Sequence, residues 1–74
     1  MSKADKMFEK LGFDKVDEGV MLIYVNESKE NVVEVCFVLP FHEYGIRGNG
    51  NFVKKELHLA IHEKMKELGW LDVD

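Results

Sequence analysis

The sequence predicts an α+β domain of two layers: an N-terminal helix, a three- to four-stranded antiparallel meander, and a C-terminal helix packed on one sheet face. Three observations carry this expectation. An apolar stripe at helical spacing opens the chain, alternating β-branched and aromatic residues fill its middle, and a second helical stripe ends at a glycine. A chain of 74 residues has room for one core, so residues 1–74 read as a single domain.

The first helix has a start, a face and a stop. Ser2 is placed to cap it, and Asp5 follows at the capping-box distance. Ala4, Met7, Phe8 and Leu11 then fall at i, i+3, i+4 and i+7, and Gly12 ends the run. So short a helix persists only when its stripe docks on something larger.

Residues 13–16 read as a short strand, and Asp17, Glu18 and Gly19 as the turn after it. The second strand, 20–26, puts Val20, Leu22 and Tyr24 on one face and Met21, Ile23 and Val25 on the other. After a polar turn at 26–31, a third strand spans 31–39 with Val33, Val35, Phe37 and Leu39 in alternation. Pro40 stops it, because proline cannot donate to a central ladder. Residues 41–46 predict a short edge strand, and the glycine- and asparagine-rich 45–51 a loop.

The C-terminal helix is expected over 56–70. At 100° per residue, Val53, Leu57, Ala60, Ile61, Met65 and Leu68 share one side, with Leu59 and Lys66 opposite. Asn49 or Asn51 is placed to start it. Gly69 and Trp70 fit the last two positions of a Schellman stop, with the Trp70 ring folded back towards Met65.

Composition narrows the function classes. A net charge of −4 disfavours a nucleic-acid binder, and the best basic pair, Lys54 and Lys55, is diluted by Glu56. One cysteine, Cys36, cannot close an internal disulfide, which points to a reducing compartment and a cytoplasmic location. The first ten residues are charged and lack the apolar core of a signal peptide. No apolar run approaches the roughly 20 residues that span a membrane.

Strands two and three are apolar on both sides, yet two short helices cover only one. The excess, Met21, Ile23 and Val25 on one strand and Val32, Cys36 and Val38 on the next, predicts a partly exposed apolar sheet face. These residues, with Leu59 on the polar side of the last helix, are the candidate partner-binding set.

Chemistry-bearing groups are few. His58 and His62, at i and i+4, have the spacing two nitrogen ligands need to share a zinc or nickel ion, with His42, Glu43 or Cys36 as a conceivable third. Leu59 stands where a zinc protease needs glutamate, and two histidines four apart are common on solvated helix edges. The 45–51 loop precedes a helix and offers amides to an anion, but it lacks the Gly-Lys-Ser/Thr ending of a P-loop. Cys36 with His42 as base is disfavoured, because Cys36 sits among valines and phenylalanine. Tyr24, Phe37, Phe41, Tyr44 and Phe52 lack interleaved basic residues and read as core. Asp17 with Glu18, and Glu27 with Glu30, read as solvated turn charge. No cofactor and no catalytic residue is assigned.

The segment Lys55-Glu56-Leu57, then Ala60-Ile61, Lys64 and Glu67-Leu68-Gly69-Trp70, resembles the C-terminal signature of small uncharacterised phage and prophage proteins of Gram-positive (Firmicute) bacteria. The run from Ala4 to Phe13 resembles the same family's start. The resemblance implies the helix–strands–helix order and no activity. Such relatives carry a capping threonine where this chain has Val53. The functional expectation is a non-enzymatic interaction module that binds an unidentified protein partner, or itself as a homodimer, through its apolar sheet face. The alternatives are a small acidic nucleic-acid mimic that inhibits a host enzyme, and a metal-binding protein using His58 and His62.

Overall fold

The computed structural model describes residues 2–28 and 31–72. It contains helix α1 (Lys3–Lys10), strands β1 (Asp14–Asp17), β2 (Met21–Glu27) and β3 (Val32–Val38), a 3-10 turn (Leu39–Phe41), strand β4 (Glu43–Arg47) and helix α2 (Lys55–Glu67). The strands form one antiparallel sheet in the order β1-β2-β3-β4. The α+β meander between two helices is therefore as the sequence predicts, with four strands.

Local chemistry accounts for each end of the helices. Ser2 Oγ accepts the Asp5 amide at 3.0 Å, so one orphan donor of α1 is satisfied by its cap. At the end of α2, Gly69 takes φ 77°, and its amide donates to the Lys66 carbonyl while that of Trp70 donates to Met65. These are the two bonds of a Schellman motif, and they close α2 at Glu67 with Gly69 and Trp70 in the two stop positions expected from the sequence. The Trp70 ring then stacks on His42, 5.2 Å between centroids, and meets Phe37 edge-on at 5.9 Å.

Helices α1 and α2 pack on each other and on one face of the sheet. The core joins Phe8 of α1, Leu22, Tyr24, Val35 and Phe37 of the sheet, and Leu57, Ala60 and Ile61 of α2. At its centre Phe8 stacks on Tyr24 with 4.0 Å between centroids, and Phe37 meets both rings edge-on. Offset and edge-on pairs add roughly 0.5–1.5 kcal/mol each beyond area burial.

The structure corrects several boundaries. β4 extends through Arg47, so Gly45, Ile46 and Arg47 are strand and the connecting loop begins at Gly48. Pro40 ends β3 by entering the 3-10 turn, and His42 reverses the chain at φ 54°. α2 starts at Lys55 with Lys54 as an N-cap that makes no side-chain bond, so neither asparagine caps it. Val53 lies before the helix and is 47% exposed, so it leaves the predicted stripe. Lys64 takes a buried place on that stripe, which its charge concealed. Of the five aromatics Tyr24, Phe37, Phe41, Tyr44 and Phe52, the first and second are core and the other three are exposed.

Two glycines are under different constraints. Gly69 needs only its left-handed φ, whereas Gly48, also at positive φ, lies where a Cβ would collide with the Val32 carbonyl oxygen. Gly69→Ala is expected to lower the unfolding free energy by about 1 kcal/mol. Gly48→Ala is expected to cost clearly more, because strain and collision add. Denaturant titration of both variants measures the difference, and equal losses would contradict it.

Candidate interaction surface

Strand register decides which side chains share the outer face of the sheet, away from the helices. One rung runs Val16, Ile23, Cys36, Gly45, and the next Asp14, Val25, Glu34, Arg47. On the far side of the first rung lie Met21, Val38 and Glu43, and beyond the second lie Glu27 and Val32. The intervening rungs point to the helices, with Tyr24 and Val35 on one and Leu22 and Phe37 on the other. No described helix packs on the outer rungs.

Met21, Ile23, Val25, Cys36 and Val38 are half-buried by their neighbours on the face, and Val32 and Val16 are 46% and 42% exposed. The structure thus brings Met21, Ile23, Val25, Val32 and Val38 together on one surface. Leu59 does not join them. It is exposed on the solvent side of α2, with the core and the sheet between. Val16 and Gly45 belong to the surface without having been singled out in the sequence. The signal for Val16 is the Asp17–Gly19 turn, which sets it opposite Ile23. Between β3 and β4 the face dips into a shallow groove of about 410 Å3, bordered by Glu34, Cys36, Val38, Gly45 and Arg47.

The one dense polar cluster lies on the opposite side of the sheet. Asp5 Oδ1 accepts from the Tyr24 hydroxyl at 2.5 Å and from Lys64 Nζ at 3.3 Å, while Oδ2 accepts from Lys15 Nζ at 3.1 Å. Glu67 accepts the Ala4 amide at 2.8 Å and pairs with Lys64 at 3.5 Å. Burial pushes the Asp5 carboxyl up, but the Tyr24 and Lys15 hydrogen bonds and the Lys64 charge outweigh it and hold the group at about 2. Glu67 is likewise lowered: burial opposes this, and the Ala4 amide, Ser2 and Lys64 overcome it. Burial, reinforced by the Asp5 and Glu67 carboxylates, pushes Tyr24 up and keeps its hydroxyl protonated. Every strong donor and acceptor here is answered inside the cluster. It joins α1, β1, β2 and α2.

The remaining candidates stay apart. The His58 and His62 rings lie 6.5 Å apart on exposed helix surface. Among the described residues no cluster of three His, Cys, Asp or Glu side chains is placed to hold a metal ion. His42 is occupied by its stack on Trp70 rather than by Cys36, which stands on the outer face instead of in the core. Asp17 accepts the Gly19 amide as a turn residue, and Glu30 lies outside the described residues. A second, open crevice of about 400 Å3 separates Phe13 and Val33 from the start of α2, with Phe52 at its lip.

The Asp5 cluster sets an acid limit on stability. A carboxyl lowered from 3.8 to about 2 by folding stabilises the protein fully above its unfolded value. That contribution is lost as the pH falls through about 2. From pH 6 to pH 2 the unfolding free energy is expected to drop by roughly 2 kcal/mol on this account, in addition to the effect of Glu67. Asp5→Ala is expected to cost about 3 kcal/mol or more, because Lys64 is left buried with less compensation. Lys64→Met is expected to cost much less, since an apolar chain suits the stripe. A pH series on the three proteins checks this, and an Asp5→Ala loss no larger than that of Lys64→Met would refute it.

Comparison with family models, with curated proteins and with solved structures gives no match, so the reading of function rests on this surface.

Proposed function

We propose that the protein is a non-enzymatic interaction module that binds a protein surface through the outer face of its sheet. The observation that supports this most is the contiguous patch of Val16, Met21, Ile23, Val25, Cys36 and Val38 with no helix over it. A sheet with one solvated face alternates apolar and polar residues, and strands apolar on both faces belong to sheets covered on both sides. A partner surface would supply the second cover here. Charged Asp14, Glu27, Glu43 and Arg47 stand around the patch, and Glu34 enters it from β3 beside Arg47.

Pairing at the sheet edges is disfavoured by the same strands. β1 and β4 have only four and five residues and carry Asp14, Lys15, Asp17, Glu43 and Arg47, which obstruct strand addition. The acidic-mimic reading has less support, because Asp5, Glu63 and Glu67 are taken up by lysines. The unpaired thiol of Cys36 agrees with a reducing, cytoplasmic setting. A phage or prophage origin, as the two chain ends imply, suits so small a module acting on a partner.

A photoreactive phenylalanine analogue tests the face by position. Placed at Val25 in protein made in its source cells, it is expected to yield a discrete covalent protein adduct. Placed at exposed Lys10 on α1, it is expected to yield none. No adduct from Val25, or the same adduct from both positions, would overturn the reading.

A further inference from the structure

The outer face contains one residue that the fold itself does not explain. Gly45 sits in the middle of β4, outside the left-handed region, and a Cβ added there would meet nothing within 4 Å. Mid-strand glycine sacrifices backbone entropy and side-chain packing, and it commonly marks a place where another group approaches closely. Neither backbone geometry nor internal crowding requires it here. Its effect is the dip in the face beside Cys36.

Resting on the reading above, we propose that this dip is a socket and that the partner is a second copy of the chain, docked face to face. The support is the self-complementarity of the face. A half-turn about an axis parallel to the strands, midway between β2 and β3, lays β1 over β4 of the second copy and β2 over β3. The rungs stay level. Val16 then stands over the gap at Gly45, Ile23 over Cys36, and Met21 over Val38. On the next rung Asp14 stands over Arg47, an opposite-charge pair made twice by the symmetry, and Val25 stands over Glu34, whose carboxylate stays beside Arg47 of its own copy. Within one copy Arg47 already has Glu34 beside it on the rung, whereas Asp14, at the opposite edge, has only Val25.

Dimensions set the strength of the dimer. Four strands about 4.8 Å apart, three outward rungs deep at roughly 6.8 Å, give a footprint of about 19 by 20 Å. Two such faces bury on the order of 1,000 Å2 in all, the low end for specific association. Aligned sheets pack rotated by about 30°, which shifts the corners by roughly 4 Å along the strand, within reach of an arginine. An interface of this size is that of a dimer in exchange with monomer.

Sedimentation equilibrium of the full chain, from about 1 µM to 1 mM, tests this. The natural protein is expected to dimerise across that range. Gly45→Val fills the socket and is expected to weaken the dimer about tenfold or more, while the melting temperature of the dilute monomer stays level or rises. Asp14→Arg sets like charges against Arg47 of the other copy and is expected to weaken it about tenfold. Asp14→Arg combined with Arg47→Asp is expected to dimerise more tightly than either single variant. A monomer throughout the range overturns the proposal, as does a dimer indifferent to Gly45→Val or to the charge exchange. If a strict monomer still yields a Val25 adduct with a different chain, the interaction face stands and the second copy falls. If the monomer yields no adduct, both fall.

Discussion

Tyr24 is where the two halves of this fold's stability meet. Its ring is the centre of the aromatic core, stacked on Phe8 and met edge-on by Phe37. Its hydroxyl ends on Asp5, the carboxylate that also gathers Lys15 and Lys64. One side chain on β2 thus fixes α1 by its face and by its polar tip. A phenylalanine would keep the stacking but leave Asp5 short of a donor beside a buried lysine. The polar cluster and the apolar core are therefore one structure, and each holds the other in register. That dependence matters in a chain this short, where the margin between folded and unfolded states is a few kcal/mol.

The same arrangement makes the protein one-sided. Both helices are recruited to the Tyr24 face, α1 through Phe8 and Asp5, α2 through Ile61 and Lys64. With 8 and 13 residues they have no length to reach around the sheet. The outer face is left to the strands, yet these carry Met21, Ile23, Val25 and Val38 where a solvated face would carry polar residues. Strand propensity alone does not account for this, because threonine would serve as well on a wet face. Apolar residues at four neighbouring outward positions are the observation on which the proposed interaction face rests.

Much of this was legible in the sequence, for identifiable reasons. Helix α1 and the end of α2 were readable because caps and stops are local: Ser2, Gly69 and Trp70 act within a few residues. The two faces of β2 and β3 were readable because alternation is strict. The start of α2 was legible to within one residue, but its cap was not, since Lys54, and neither Asn49 nor Asn51, takes the N-cap place and makes no side-chain bond there. The burial of Lys64 was concealed because its partner Asp5 lies 59 positions away. Gly45 fell in both the 41–46 strand and the 45–51 loop expected from the sequence, and its pairing with Cys36 decides for strand. The burial of Lys64 and the place of Gly45 are both properties of long-range pairing.

The uncovered face also bears on stability. A partner that binds only the folded state stabilises it by mass action, in proportion to the logarithm of its concentration. For a second copy that concentration is the protein's own, so folding and assembly draw on one another. Gly45 weakens the isolated strand, and Val16 and Ile23 leave apolar area in water. Both are burdens on a monomer and become assets in a dimer. A sequence shaped for the monomer alone would have a β-branched residue at Gly45 and polar residues at Ile23 and Val38. This chain has the opposite at all three positions, and the proposed dimer is the state in which each of them gains a contact.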